Sequence, residues 1–596
     1  MSPVQDNPLP DEFVLSRPLG MARAPKDFDW LKKNIPCQAA CPAGTDIPAY
    51  LDAIANRDTA QAYLINLQDN VFPAVLGRVC TRPCEPVCRH GWEGLGEPVA
   101  ICFSKRSAAD FLKRKEPVVL DPIFPPTGKR IAVVGGGVAG LAAARELALW
   151  GHMPVVFEKY PKPGGMMVQG IPPFRLPRDV VELEIDQVVR LGVEIRCNAE
   201  IGRDVTLSDL MNEYDAVIMA AGTHKPYIPD LPGVDLDGVR HGLGFLQEVN
   251  EQHRGDVGAR VVVIGGGFTA VDCARTAQRL GAESVKTYYR RSESEMYITG
   301  HEIEEMRNEG ILFETMTAPV ALVGEGGRVT GVRFSPTMLG EPDATGRRRP
   351  VPIPESEFEV PADTVLLGTG QVQDTSWIDR MIADALMEDG RLKTGSAQTT
   401  AVDKLFVAGD FALGAISLID AIGHAKTCAR KVDTYLMGEE RLSEVAMIED
   451  ARSTGRTRAM DQIPRQPMPT LPREDRGVTD EVETGFDQDT AATEASRCYL
   501  CHYKYEIDND LCIYCDRCLK VKPVEKCIVK VSALKYDDDG RITGYEPSTS
   551  SRDYNMLFID QNECIRCGAC ADVCPVECIP LQKVSLKTVK TAEVTP

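Results

Sequence analysis

No stretch of the 596 residues approaches the ~18 uninterrupted apolar residues that a bilayer span needs, and the start, MSPVQDNPLPDEF, puts no basic cluster ahead of an apolar run. A membrane span and secretion are both disfavoured, and the expected location is cytoplasmic. Positive charge is short as well. Lys and Arg number 67 against 87 Asp and Glu, a formal net charge of −20, which argues against nucleic acid or an anionic membrane surface as a partner. The eight histidines form no Ser/His or His/Asp constellation; all, His424 included, are read as structural, and no acid–base or nucleophilic residue is assigned. Cysteine is scarce only in the middle: of 20, Cys197, Cys273 and Cys428 alone lie between Cys102 and Cys498. Each is solitary and reads as a small buried apolar residue. Disulfides rarely persist in the cytoplasm, so the cysteines crowded at both ends imply reduced thiols, metal or clusters. The length itself suggests roughly three or four domains.

The middle carries a strand, glycine turn and helix at Lys129, where Ile131 to Val134 lead into Gly135-x-Gly137-x-x-Gly140 and an Ala/Leu-rich helix. The first two glycines admit a pyrophosphate to the helix N-terminus and the third lets helix and strand pack closely. Glu158 ends the next apolar strand, where a carboxylate accepts hydrogen bonds from ribose hydroxyls. A second copy starts at Arg260 with Gly265-x-Gly267-x-x-Ala270, Thr269 standing within the turn. Its second strand ends in Arg290 and Arg291, which suit the 2′-phosphate of NADP better than the free hydroxyl of NAD; a solvated surface pair is the alternative. Two unequal sites suggest FAD in the first and NADP(H) in the second. Further on, an apolar strand ends in Gly409-Asp410. Here the chain resembles the two-dinucleotide-domain flavoproteins, in which such a strand returns to the first domain and its Asp reaches the flavin's ribityl chain. A thioredoxin-reductase-like enzyme would need a redox-active cysteine pair beside the flavin, and the middle has none.

At the back, Cys564-x2-Cys567-x2-Cys570-x3-Cys574-Pro575 is the bacterial ferredoxin run. The fourth cysteine of such a run serves the other cluster of a pair, and Cys512-x2-Cys515-x2-Cys518 supplies that partner. The partner run has Lys522 where its own fourth cysteine belongs, and the next thiol is Cys527. One [4Fe-4S] cluster is therefore assigned Cys512, Cys515, Cys518 and Cys574, the other Cys564, Cys567, Cys570 and Cys527. Cys527 and Cys578 occupy near-repeats, Pro-Val-Glu-Lys-Cys527 and Pro-Val-Glu-Cys578, so Cys527 reads alternatively as the counterpart of a non-ligand, leaving a three-iron or labile cluster. Zinc is the alternative for all the terminal cysteines, more so at the front.

At the front, Cys37-x3-Cys41-Pro42 and Cys80-x3-Cys84-x3-Cys88 fit neither a zinc ribbon nor a ferredoxin. With the middle, they resemble the small (beta) subunit of bacterial glutamate synthase and the matching N-terminal part of dihydropyrimidine dehydrogenase. That resemblance covers residues 30 to about 440 and implies a helical module with two [4Fe-4S] clusters ahead of FAD and NADPH domains. Gly164-Gly165-Met166 through Gly170-Ile171-Pro172 to Leu176-Pro177 looks like the family's flavin loop, and Gly265 to Asp272 with Tyr289-Arg290-Arg291 like its NADPH site. The Cys-x2-Cys that opens the family's module is missing before Cys37; Glu494-Ala-Ser-Arg-Cys498-Tyr-Leu-Cys501 looks like that segment, displaced past the flavoprotein core. The family's interleaved pattern then implies one cluster on Cys37, Cys88, Cys498 and Cys501, and another on Cys41, Cys80, Cys84 and a fourth ligand. The corresponding place is Lys105, which cannot ligate while protonated, and Cys102 is the nearest thiol.

The expected fold is multidomain α/β: a helical Fe-S module (1–125), an FAD domain (126–240 and 373–440) with an NADP domain (241–372) inserted in it, a returning linker (441–505) and an α+β ferredoxin-like domain (506–596). The expected function is an NADPH-preferring iron–sulfur flavoprotein with four [4Fe-4S] clusters. It passes electrons between NADP(H), FAD and the clusters to or from a protein partner such as a ferredoxin or 2-oxoacid oxidoreductase, within a complex or oligomer. The alternative is the small subunit of a glutamate synthase. Dihydropyrimidine reduction is disfavoured because no chain remains for a substrate barrel.

Overall fold

The computed structural model describes residues 34–92, 95–112, 118–296, 298–342, 346–388, 391–392, 398–536, 542–550 and 556–593. The first 33 residues of the expected Fe-S module lie outside them. The module is built from short helices: α1 (Pro36–Ala40), α2 (Ile47–Ala55), α3 (Thr59–Asn70), α4 (Pro73–Val79) and α5 (Ile101–Asp110). Asp46 and Asp58 start α2 and α3 by accepting the amides of Ala49 and Gln61, the usual N-cap bond. The cysteines sit at helix ends and in the loop between: Cys37 in α1, Cys41 just past it, Cys80 just past α4, Cys84 and Cys88 in the loop, Cys102 in the first turn of α5.

The first glycine turn joins β1 (Arg130–Val134) to α6 (Val138–Leu149), followed by β2 (Met153–Phe157), α7 (Arg178–Arg190), β3 (Glu194–Arg196) and β4 (Ala216–Met219). After β5 (Val239–His241), the second joins β6 (Arg260–Ile264) to α8 (Phe268–Arg279), followed by β7 (Ser284–Tyr288), α9 (Gly300–Asn308) and β8 (Leu312–Glu314). An antiparallel sheet follows, in which β10 (Arg328–Pro342) pairs with β9 (Thr317–Glu325), β11 (Arg348–Pro352) and β12 (Phe358–Pro361), before β13 (Thr364–Leu367) completes a parallel sheet in the order β5-β13-β6-β7-β8. Only then does β14 (Leu405–Val407) pair with β4, giving the other parallel sheet the order β14-β4-β1-β2-β3. The NADP domain is thus an insertion in the FAD domain. The near-continuous apolar runs of β1, β4 and β6 match sheets covered on both faces. Helix α10 (Leu418–Met437) packs against α6 in the FAD domain's core.

Beyond residue 440 the chain is more ordered than a linker. The strand β15 (Leu442–Ala451) runs the full length of the last strand, β20 (Leu581–Lys590), which also pairs with β16 (Tyr503–Tyr505). Between them lie α11 (Gln488–Ser496) and a second small sheet in which β17 (Ile528–Tyr536) sits between β18 (Ile542–Pro547) and β19 (Met556–Ile559). One apolar core is shared by the two ends of the chain: Ile35, Tyr50, Leu51 and Phe103 pack in a single cluster with Tyr499, Leu500, Ile507, Ile528 and Ile565. Among the described residues no helix is long and apolar enough to cross a membrane.

Candidate functional site

The first glycine turn is shaped for a dinucleotide. Gly135 has φ 109°, and a Cβ there would meet Ala220 O at 2.4 Å; one on Gly140 would meet Gly135 O at 2.0 Å, so helix and strand touch backbone to backbone. At Gly137 a Cβ meets nothing nearer than Gly165 Cα at 3.8 Å, which leaves open space at the start of α6, whose first amides have no side-chain cap. The cavity running across the sheet from β2 to β14 is lined by Glu158, Gly137, Gly165, Thr223, Asp410 and Ser417 among others. Glu158 is oriented by the amides of Gly136 and Tyr160, 2.8 and 2.9 Å away. Burial pushes its carboxyl up while those amides pull the other way. Asp410 follows Gly409, which has φ 65° and receives the backbone from β14 against Ala139; burial pushes the Asp410 carboxyl up to about 7. His424 Nδ1 accepts the Gly409 amide at 3.0 Å and so holds this turn. The donor set, a glycine cradle under uncapped amides with an acid at each end, fits FAD.

The second turn repeats the design with Gly265 at φ 152° and Ala270 packed under Gly368, while Gly267 has nothing within 4 Å of where a Cβ would stand. Helix α8 begins there, again uncapped by a side chain. Gln371 reaches Thr269 Oγ1 at 3.4 Å. The ring of Tyr289 lies against Gly266 and its hydroxyl accepts from Arg347 Nη2. The two arginines that follow part company. Arg290 is exposed, whereas Arg291 is buried and donates through Nε to Arg348 O at 2.8 Å. The two dinucleotide domains are joined by Arg175 of the flavin loop, which binds Asp272 of α8 at 2.7 Å and Glu302 of α9 at 2.5 Å.

The cysteines fall into four groups. Burial pushes the Cys37 thiol up, and its thiol neighbours are Cys501, Cys498, Cys88 and Cys84. Cys80 and Cys102 are hydrogen-bonded, with Cys84 beside them and Cys41 beside Cys84. Cys102 also contacts Leu76 O at 3.2 Å. Cys570 lies near Cys564, Cys567, Cys518 and Cys527, and Cys527 near Cys564 and Cys567. Cys518 lies near Cys512 and Cys515. Cys578, which sequence reasoning left without a role, stands 3.4 Å from Cys574 and is hydrogen-bonded to Cys512; its near-repeat with Cys527 was the available signal. Among the described residues no three Cys, His, Asp or Glu side chains close on one metal position. The thiols gather in sets large enough to give a [4Fe-4S] cube one ligand on each iron.

The groups also succeed one another in space. A Cβ on Gly423 of the flavin-side helix α10 would meet Pro42 O at 2.3 Å, so the Cys41 loop abuts the FAD domain. Cys84 then lies within electrostatic reach of Cys37, Cys501 and Cys564 bear on the buried Arg89, and Cys570 neighbours Cys518. Cys515, in the last group, is exposed. The returning segment is locked in place. Buried Glu494 accepts the Ala100 amide at 2.7 Å and buried Arg497 donates to Glu97 O at 2.7 Å. Arg89 and Arg566 clasp the backbone of Gln561 and Cys564.

Fold and site together define a flavoprotein oxidoreductase with two dinucleotide domains and iron–sulfur modules at both ends. The chain belongs to the pyridine nucleotide-disulphide oxidoreductase family, whose model matches residues 129–431. Residues 31–117 match the model for dihydropyrimidine dehydrogenase domain II, 4Fe-4S cluster, and residues 557–579 the 4Fe-4S binding domain. It is 36% identical over 513 residues to the NADP(+)-dependent formate dehydrogenase subunit beta of Moorella thermoacetica, covering 78% of this chain and 70% of that one. It is 36% identical over 512 residues to the NADPH-Fe(3+) oxidoreductase subunit beta of Geobacter sulfurreducens (79% and 75% covered), and 37% over 419 residues to the glutamate synthase [NADPH] small chain of Halomonas elongata (67% and 88%). The protein is accordingly an NADP-linked, FAD-dependent iron–sulfur oxidoreductase that transfers electrons. No cysteine is among the described residues that line the flavin cavity.

Proposed function

We propose that this chain is the coenzyme-handling subunit of a larger redox complex, exchanging electrons between NADP(H) and a protein partner through FAD and four [4Fe-4S] clusters. The observation that carries this reading is the file of cysteine groups from the flavin-side helix to the exposed Cys515. The chemistry supplied at these sites when the groups are bound is hydride exchange between nicotinamide and flavin and single-electron exchange with clusters. Glu158 and Asp410 hold the ends of the flavin cavity, and the uncapped amides of α6 and α8 receive the pyrophosphates. Arg290 meets the 2′-phosphate, while Arg291 secures the strand end behind it. The four ligand sets are Cys41/80/84/102, Cys37/88/498/501, Cys527/564/567/570 and Cys512/515/518/574. The exposed end serves a ferredoxin or an oxidoreductase of 2-oxoacid or similar type, in the cytoplasm. Two relatives bear the word subunit in their names, which supports a partner. A second reading, supply of electrons to a glutamate synthase, draws on the relative of that name; the added cysteine run at 512–574 favours the first.

Anaerobic titration with NADPH, and separately NADH, followed in the visible spectrum tests the proposal. Stoichiometric NADPH bleaches the flavin band while NADH needs a large excess, and the broad iron–sulfur absorption then responds on adding the partner or dithionite. A flavin band unmoved by NADPH overturns the reading.

A further inference from the structure

Lys105 lies three residues after Cys102 on α5, so the two side chains leave the same face of the helix. It is 6% exposed, and the neighbours whose negative charge bears on its ammonium are Cys80, Cys102, Cys41 and Cys84. Among the described residues it has no carboxylate partner. The acids of the module are committed elsewhere: Glu85 to Arg465 and the Cys102 amide, Asp110 to Arg78 and Arg106, Glu481 to the same two arginines. A buried ammonium is not retained without negative charge beside it. Four thiolates around an iron–sulfur cube make an anion, and one electron more adds a further negative charge, so such a cube supplies what Lys105 lacks.

We propose that the Lys105 ammonium is the built-in counter-ion of the cluster held by Cys41, Cys80, Cys84 and Cys102, and that it raises the reduction potential of that cluster. The proposal rests on the ligand assignment above. The cation favours the state with the extra electron because its attraction grows with the charge opposite it, and net charge is among the factors that set cluster potentials. No bond forms or breaks at Lys105: the electron comes from the flavin and the ammonium keeps its proton. Since the Cys41 loop abuts α10, the effect falls on the cluster nearest the flavin, where it eases the first transfer out of the coenzyme site.

The test uses the full chain with Lys105→Met and Lys105→Arg, followed by an EPR-monitored redox titration and iron analysis. In Lys105→Met one cluster signal moves to more negative potential, its equilibrium constant for reduction falling at least tenfold, about 59 mV for one electron. Lys105→Arg stays near the parent, and both keep their iron. Loss of one cluster in Lys105→Met but not in Lys105→Arg equally supports the counter-ion, since charge is what the two variants differ in. Unmoved potentials with full iron in Lys105→Met, or the same iron loss in both, overturn it. Cys41→Ser, measured first, separates the two levels: if that variant keeps all its iron, the ligand assignment fails and not merely the role of Lys105.

Discussion

Arg290 and Arg291 are neighbours in sequence with different surroundings, the first exposed and the second buried. Arg290→Ala should raise the KM for NADPH by roughly 10- to 100-fold, the worth of a charge-assisted bond, and leave that for NADH nearly unchanged. Arg291→Ala should lower thermal stability and spare the preference, as steady-state kinetics with both coenzymes would reveal. The spacing after the strand located the pair, but not the carbonyl 57 residues later that occupies one of them. Glu309 is a second residue invisible in the sequence, gathered by three arginines: Arg275, Arg279 and, from the returning segment, Arg476 at 3.0 Å. Burial alone would raise its carboxyl, but Arg279 and Arg275 more than offset that and hold it at about 2, against 4.5 when free. The folded pKa is the lower one, so the contribution, roughly 3 kcal/mol, is present above pH 4.5 and lost as pH falls towards 2. Glu309→Gln should therefore flatten the stability profile below pH 4.5, measured by denaturant unfolding.

At the scale of elements, periodicity and glycine spacing made both βα turns and the ferredoxin run legible, because each is a local pattern. What stayed hidden are pairings across long separations. Strand β15 was read as part of a linker, yet its partner is the last strand of the chain. Helix α4 begins with Phe72, which offers no side-chain cap, and its first amides are taken instead by Glu184 of α7: Ala74 N at 2.8 Å and Val75 N at 3.0 Å, with Tyr63 Oη at 3.1 Å. A carboxylate from the FAD domain thus caps a helix of the Fe-S module. Glu184→Gln turns an amide nitrogen towards one of these donors and should cost about 1–3 kcal/mol. Thermal unfolding should then show the loss of iron–sulfur absorption moving to lower temperature ahead of flavin release.

For the whole molecule, the expected separate terminal domains prove to share one core, and that sharing is what brings Cys498 and Cys501 to Cys37 and Cys88. The Cys498→Ser, Cys501→Ser double variant should lose about four irons per chain and retain NADPH reduction of its flavin. Unchanged iron content would remove the displaced pair from the ligand set. The pair and its destination were legible together, because its flanking residues look like the family's opening segment; the core that carries the chain back was not, since nothing in local spacing encodes it. The order of synthesis follows from the same closure. Cys88 leaves the ribosome about 410 residues before Cys501, a delay of roughly 20–80 s at ordinary elongation rates. On the proposed assignment the first module holds half a ligand set throughout it, and both dinucleotide domains are made before the other half exists. Completion of that cluster therefore waits until both dinucleotide domains have been made, and a chain stalled before residue 498 leaves two thiols open to oxidants or stray metal.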